Sequence, residues 1–180
     1  LNHMAAVGES MPTLVLELDA ESATVLICSD QQLDVARPIP HGFNSMYPVV
    51  QKELGLKDEM SARKLFTSTT FDFTEMGPML LKKMMKELQA STGFYEVQTG
   101  QTIGHIYVSK LPSNFGWIPG TLSRTLGVDV LNPDYGRWLE RQKINLGKGV
   151  SIDELQPGWL PLFGLMADFK PENNYRFPAF

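Results

Sequence analysis

Cysteine and histidine are scarce in this sequence, and their scarcity argues against two kinds of site. Cys28 is the single cysteine among 180 residues, so no intrachain disulfide is possible. It lies in the apolar run TVLIC, where we interpret it as a small buried hydrophobe, with the cytoplasm as the default compartment. The three histidines are His3, His41 and His105, and none has a partner at metal-ligand spacing. We therefore expect no disulfide and no metal site.

Long apolar runs and an excess of positive charge are also missing. No run of about 18 apolar residues occurs, so the sequence predicts no bilayer-spanning helix. A net charge of −4 and a pI of about 5.4 give no electrostatic reason to expect nucleic acid or an anionic membrane as a partner. We interpret Lys82, Lys83 and Lys86 as the solvated face of a helix. With 43% hydrophobic and 20% charged residues, the chain is typical of one domain with an ordinary core.

Recognisable catalytic motifs are absent as well. The sequence has no G-x-S-x-G nucleophile turn. Asp19 and Glu21 could form a carboxylate pair for acid–base chemistry, but they flank a predicted hairpin turn, where acidic residues are ordinary turn formers. We therefore predict no catalytic residue.

Short apolar runs predict five strands. Residues 13–18, 23–28 and 33–37 are separated by the turns DAES and SDQQ, which favours an antiparallel meander. Pro38 and Pro40 are expected to close the third strand, because proline cannot donate to a ladder. Residues 104–109 (GHIYVS) and 128–133 (VDVLNP) predict two more strands, and a helix over 119–127 between them is typical of a right-handed parallel crossover.

Helical patterns fill most of the remaining sequence. The segment 44–55 predicts a helix capped by Asn44 or Ser45 and stopped by Gly55, and 57–66 predicts a second short helix. Residues 74–97 predict one long helix, whose apolar positions are Met76, Leu80, Leu81, Met84, Met85, Leu88, Phe94 and Tyr95. We interpret this methionine-rich stripe as core rather than as a ligand strip. Two further helices are predicted near 135–142 and over 158–169.

The order of these elements predicts an α/β fold. It has a five-stranded mixed sheet, with an antiparallel meander plus parallel strands, and helices on both faces. This is the order of the ribonuclease H-like lobe found in actin-like ATPases. We expect a single lobe over 5–169, with a rudimentary helical insertion at about 56–72, an irregular excursion at about 134–156 and an extended tail at 170–180. The first residues, LNHM, are interpreted as a cloning remnant, and we expect the chain to be a piece of a longer protein.

Five segments, in this order, carry a resemblance to one family. LVLELDAESATVLICSDQQLDVARPIPHG resembles a D-I-G-x-x-x-T strand pair followed by R-x-I-P-x-G, and the matching positions are Asp19, Thr24, Arg37, Ile39, Pro40 and Gly42. The other four segments are ELGLKDEMSARKLF, LLKKMMKELQASTGFYEVQTG, GHIYVSKLPSNFGWIPGTLSRTLGVDVLNP and PLFGLMADF. Over residues 12–169 the chain resembles the second half of PilM-type type IV pilus assembly proteins, which are relatives of the cell-division protein FtsA.

The resemblance implies a nucleotide site, and this sequence departs from the family at that site. The positions implied are Asp19, Ala20, Glu21, Ser22, Thr24, Ser109 and Lys110. Ala20 replaces the glycine that lets the turn approach a phosphate, and KLPSN at 110–114 replaces a glycine-rich adenine loop. These departures favour a scaffold with a degenerate site and no cofactor. The alternative is an ATPase in which Asp19, Glu21, Ser22 and Thr24 hold phosphate and magnesium, and an unrelated α/β enzyme is a third hypothesis.

The resemblance also implies partners and a location. The partners are protein subunits of a pilus or secretion inner-membrane platform, without nucleic acid or direct membrane insertion. The expected location is the cytoplasm, peripheral to the inner membrane through those partners. The family's membrane-partner peptide binds the first half of the protein, so it is expected not to bind this chain.

Overall fold

An antiparallel meander forms one side of the sheet. The structure, a computed structural model, describes residues 11–30, 32–109, 111–147, 149 and 162–165. Strand β1 (Thr13–Leu18) pairs antiparallel with β2 (Ala23–Ser29), which pairs antiparallel with β3 (Gln32–Ile39). The predicted meander is confirmed, but β3 continues through Pro38 to Ile39. Because β3 is an edge strand, a residue without an amide hydrogen is tolerated there.

Two parallel strands complete the sheet on the other side of β1. Strand β4 (His105–Ser109) pairs parallel with β1, and β5 (Asp129–Val130) pairs parallel with β4. The strand order is therefore β3-β2-β1-β4-β5, the predicted five-stranded mixed sheet. Strand β5 is shorter than predicted, because only two of its residues pair with β4.

One face of the sheet forms the main core. Leu14 lies between Ile27 and Ile106 in the strand register, and Leu16 lies in the next apolar row. These side chains are 0% exposed. Five helices contribute side chains to this core, namely α1 (Tyr47–Glu53), α2 (Glu59–Thr67), α3 (Gly77–Leu80), α4 (Lys82–Thr99) and α5 (Trp117–Leu126). A sixth helix in the described part of the chain, α6 (Tyr135–Arg141), lies outside it.

The start of α1 differs from the prediction. Residues 43–45 form a 3-10 turn, and Met46, rather than Asn44 or Ser45, precedes the helix without a side-chain cap. The Ser45 hydroxyl donates instead to the carbonyl oxygen of Gly42 at 2.7 Å. Strand β3 is thus followed by a tight turn in which Ser45 is hydrogen-bonded to Gly42.

The predicted long helix is two helices, α3 and α4, separated by Leu81. The helix begins at Gly77 rather than residue 74, and Pro78 occupies its first turn, where a missing amide hydrogen costs nothing. The buried stripe of α4 contains Met84, Met85, Leu88, Ser91 and Tyr95. The expectation that Phe94 shares this face is wrong, since it is 67% exposed. At about 100° per residue, Phe94 lies outside the stripe that runs through Leu88, Ser91 and Tyr95 at spacings of three and four residues.

A smaller apolar cluster lies outside this main core. It contains Trp138 and Leu139 of α6 together with Phe163. Residues 162–165 are helical, within the predicted 158–169 helix. The rest of that predicted helix, the predicted tail at 170–180 and residues 1–4, interpreted above as a cloning remnant, lie outside the described residues. Within the described part, no helix has the length and apolar character needed to cross a bilayer.

Candidate functional site

Three loops meet at one edge of the sheet. Strands β1, β3 and β4 run in the same direction, so their carboxyl ends lie at a common edge. The turn 19–22, the segment 42–45 and the loop 111–116 follow these three strands. In open α/β sheets, ligands bind outside the carboxyl ends of strands. This edge is therefore the candidate site.

The turn between β1 and β2 brings four predicted site residues together. Asp19, Ala20, Glu21 and Ser22 are all exposed at its surface. The Asp19 amide donates to the Ser22 carbonyl oxygen at 2.9 Å, which closes the turn. The turn therefore presents two carboxylates and one hydroxyl toward solvent.

The chain's own backbone occupies one side of this turn. The Phe43 amide donates to the Asp19 carbonyl oxygen at 3.0 Å, and the Asn44 amide donates to the Ala20 carbonyl oxygen at 2.7 Å. A Cβ atom at Gly42 would lie 2.4 Å from the Asp19 oxygen and 2.6 Å from the Ser22 nitrogen. Only glycine fits this approach. No local pattern in the sequence predicts this contact, although Gly42 is among the positions that match the family.

Thr24 and Ser109 lie on either side of a third polar residue, Glu17. In the strand register Glu17 faces Thr24 of β2 and Ser109 of β4. The Ser109 hydroxyl donates to Glu17 Oε1 at 3.5 Å, and Ser109 is 6% exposed. Glu17 was not among the predicted site residues, although it is the single charged residue inside the apolar strand TLVLEL.

Two tyrosines meet beside this polar row. The hydroxyl groups of Tyr107 in β4 and Tyr135 in α6 are hydrogen-bonded to each other. Burial raises the pKa of Tyr107, the hydrogen bond from Tyr135 opposes that shift, and the charge of Glu17 adds to it. Burial, followed by the hydrogen bond to Tyr107, raises the pKa of Tyr135 strongly. Both phenols therefore stay protonated at neutral pH and contribute no charge.

Aromatic rings connect the segment after β3 to the loop after β4. The rings of Phe43 and Phe115 are stacked with centroids 4.6 Å apart and planes at 27°. Phe66 of α2 packs against Phe115 at 5.0 Å. Leu111 packs against the core, whereas Pro112 is exposed. Lys110, the remaining predicted site residue, lies outside the described residues.

Metal-ligating side chains do not gather at this edge. Within the described ranges, no group of three or more His, Cys, Asp or Glu side chains is placed to hold a metal ion. His105 is buried in β4 at 9% exposure. Any cation at the turn would depend on the exposed carboxylates of Asp19 and Glu21.

The sheet topology and its helices define the actin-like ATPase fold. No family model matches the sequence, and no curated protein is detectably similar to it. Among solved structures, a chain of a PilM–PilN type IV pilus biogenesis complex matches with a TM-score of 0.61 and 19% identity, covering 92% of this chain and 48% of that chain. The ethanolamine utilization protein EutJ from Carboxydothermus hydrogenoformans matches with a TM-score of 0.50 and 14% identity, covering 74% of this chain and 48% of that chain. The protein thus spans about half the length of these structural neighbours.

Proposed function

We propose that the chain is a PilM-like structural scaffold of a type IV pilus or related secretion assembly, with a degenerate nucleotide site. It acts in the cytoplasm, where protein partners hold it at the inner-membrane platform. The likeness to a chain of the PilM–PilN complex, across 92% of this chain, supports a role in binding protein partners. The motif resemblance of the segments around Asp19 and Gly42 supports the same role.

The packing between the three loops is the observation that carries the scaffold proposal. The stacked rings of Phe43 and Phe115 connect the segment after β3 to the loop after β4. The carbonyl groups of Asp19 and Ala20 are bound by the chain's own amides. A ligand pocket requires concave space with free polar groups. Loops held together by internal contacts support a structural role for this edge.

One observation favours the alternative, an ATP-binding protein of the same fold. The side chains of Asp19, Glu21 and Ser22 are exposed, so they are free to contact a ligand from solvent. Carboxylate oxygens are the ligands that magnesium prefers. In this alternative Thr24, Ser109 and Lys110 complete the nucleotide site.

A deletion and complementation experiment tests the scaffold proposal. In the organism that encodes the chain, we expect deletion of the full-length gene to abolish surface pili or the related secretion. The wild-type gene and an Asp19→Ala variant should both restore them, because the turn has no ligand to hold. Normal pili and secretion in the deletion strain would refute the scaffold. A folded Asp19→Ala protein that fails to complement would favour the ATPase.

A further inference from the structure

The outer face of α4 divides into a basic half and an apolar half. Lys82, Lys83 and Lys86 are exposed in its first two turns. Phe94 is 67% exposed and Val97 is 89% exposed in its last two turns. Ala90, also exposed, joins the two halves, because residues three or four apart are neighbours on a helix surface. We call this continuous strip, Lys82 to Val97, the outer face of α4.

The lysines of the basic half repel one another in the free protein. Lys86 follows Lys82 by four residues and Lys83 by three, spacings at which like charges on a helix are destabilising. The first turn of α4 contains no acidic residue. Within the described residues the lysines of this face form no salt bridge, and Glu87 of the same helix pairs with Arg37 instead. Acidic side chains of a partner protein would neutralise these lysines and remove the repulsion between them.

The apolar half is likewise unused by the fold. Val97 and Phe94 are two of the most exposed large hydrophobic side chains in the described part of the chain. Adjacent exposed apolar side chains bordered by charges mark interaction sites more often than scattered ones do. Their removal should affect binding far more than stability.

We propose that the outer face of α4 binds an acidic amphipathic helix of a partner protein. Acidic side chains of the partner pair with Lys82, Lys83 and Lys86, and its apolar side chains cover Phe94 and Val97. The strip from Lys82 to Val97 is about 22 Å long, which matches a partner helix of about 15 residues. The inference rests on the proposed function only in taking the partner to be a subunit of the assembly.

Charge complementarity favours an acidic helix over a second copy of the chain and over an anionic membrane. In a second copy of the chain packed parallel the lysines would meet each other, and packed antiparallel they would meet Phe94 and Val97, so neither arrangement neutralises them. An anionic membrane would gain only about 1 kcal/mol from each lysine near its surface, and its extended negative surface would also face the rest of a chain whose net charge is −4. An acidic helix needs only the local charge, and an apolar stripe laid into a groove or on a helix is a common mode of peptide recognition.

A labelled synthetic helix tests the proposal. The probe is a peptide of about 18 residues with glutamates in one half and leucines at helical spacing in the other. Its binding is measured by fluorescence anisotropy at low and high salt. We expect Lys82→Glu/Lys83→Glu/Lys86→Glu and Phe94→Gln/Val97→Gln each to weaken binding about tenfold or more, and salt to weaken wild-type binding.

Matched variants on α1, on α2 and in the loop between them serve as controls. Lys52→Glu/Lys57→Glu/Lys64→Glu makes the same change of net charge at exposed positions, and Met60→Gln removes another exposed hydrophobe. Both should bind the probe like the wild type, and circular dichroism should show every variant folded. Equal binding by all variants, or no binding by the wild type, would overturn the proposal.

Two further readouts separate the possible outcomes. Lysine-dependent binding to vesicles containing phosphatidylglycerol, without binding to the peptide, would overturn the helix proposal in favour of a membrane. In the deletion strain, the full-length lysine variant should fail to restore pili. If the wild type and this variant both restore them, the outer face of α4 is excluded while the scaffold proposal stands.

Discussion

Gly42 lies against the carbonyl group of Asp19 with no space for a side chain. A Cβ atom at this glycine would stand 2.4 Å from the Asp19 oxygen and 2.6 Å from the Ala20 oxygen. The neighbouring amides of Phe43 and Asn44 donate to the same two oxygens. The hairpin turn and the segment after β3 therefore form a single packed unit that contributes to the stability of the fold.

Gly42→Ala should destabilise the protein. The added methyl group must push apart two backbone segments, and backbone moves less readily than a flexible side chain. We expect the free energy of unfolding to fall by about 1–3 kcal/mol, the usual cost of overpacking. Urea denaturation followed by circular dichroism measures the change.

Gly120→Ala is the matched control for that variant. Gly120 lies inside α5, and a Cβ atom there would meet nothing within 4 Å. Alanine is favoured over glycine in a helix by about 1 kcal/mol, so this variant should be more stable than the wild type. If both variants changed the free energy of unfolding in the same way, the assignment of a close approach between Gly42 and the turn would be wrong.

Leu88→Ala should be among the most damaging changes in α4. Leu88 is 0% exposed and belongs to the main core, so alanine would leave a cavity. We expect a loss of about 2–5 kcal/mol in the free energy of unfolding. Val97→Ala on the same helix is the control, because its side chain is 89% exposed and should change stability by less than about 0.5 kcal/mol. An unchanged denaturant midpoint for Leu88→Ala would place the wrong face of α4 in the core.

The pair Tyr107 and Tyr135 predicts a loss of stability in alkaline solution. Burial raises the pKa of both phenols above the ordinary value of 10.0. The native protein therefore keeps two protons that the unfolded chain releases above about pH 10. The free energy of unfolding should be independent of this pair at lower pH and fall as the pH rises beyond that point.

Tyr107→Phe/Tyr135→Phe tests the assignment. The double variant removes both titrating groups, so its stability should fall less steeply in the alkaline range than that of the wild type. Tyr95, whose pKa burial also raises, stays in both proteins and accounts for part of the remaining slope. Urea denaturation at neutral and alkaline pH gives the two slopes, and identical slopes would refute the assignment.

The strands could be predicted because each is a short local pattern. The runs around DAES pair through a four-residue turn, so register and direction follow from neighbouring residues. The parallel pairing of β4 with β5 followed from the strand–helix–strand order and the rule for crossovers. Local sequence and one topological rule were therefore sufficient for the meander and for this parallel pair, whereas the pairing of β4 with β1 joins segments that are distant in sequence.

The interior of the site could not be predicted in the same way. The contacts of Gly42 with Asp19 and of Phe43 with Phe115 join residues that are distant in sequence, and no local pattern encodes them. The buried face of α4 was partly missed for a related reason. Ser91 is 4% exposed, and its hydroxyl donates to the Glu87 carbonyl oxygen and accepts from Arg37. These hydrogen bonds permit a polar residue on the buried face, which an apolar pattern does not reveal.

We finally predict that this chain binds no ATP and magnesium at millimolar concentration and hydrolyses none. The turn exposes the carboxylates of Asp19 and Glu21, which repel a triphosphate unless a cation intervenes. The loops around it are held by the stacked rings of Phe43 and Phe115, and affinity requires preorganised contacts on several sides of a ligand. Isothermal calorimetry and a thermal-shift assay measure binding, with Asp19→Ala as the matched variant. We expect no heat and no shift for either protein. A stabilisation by ATP that is present in the wild type and lost in Asp19→Ala would replace the scaffold with the ATPase.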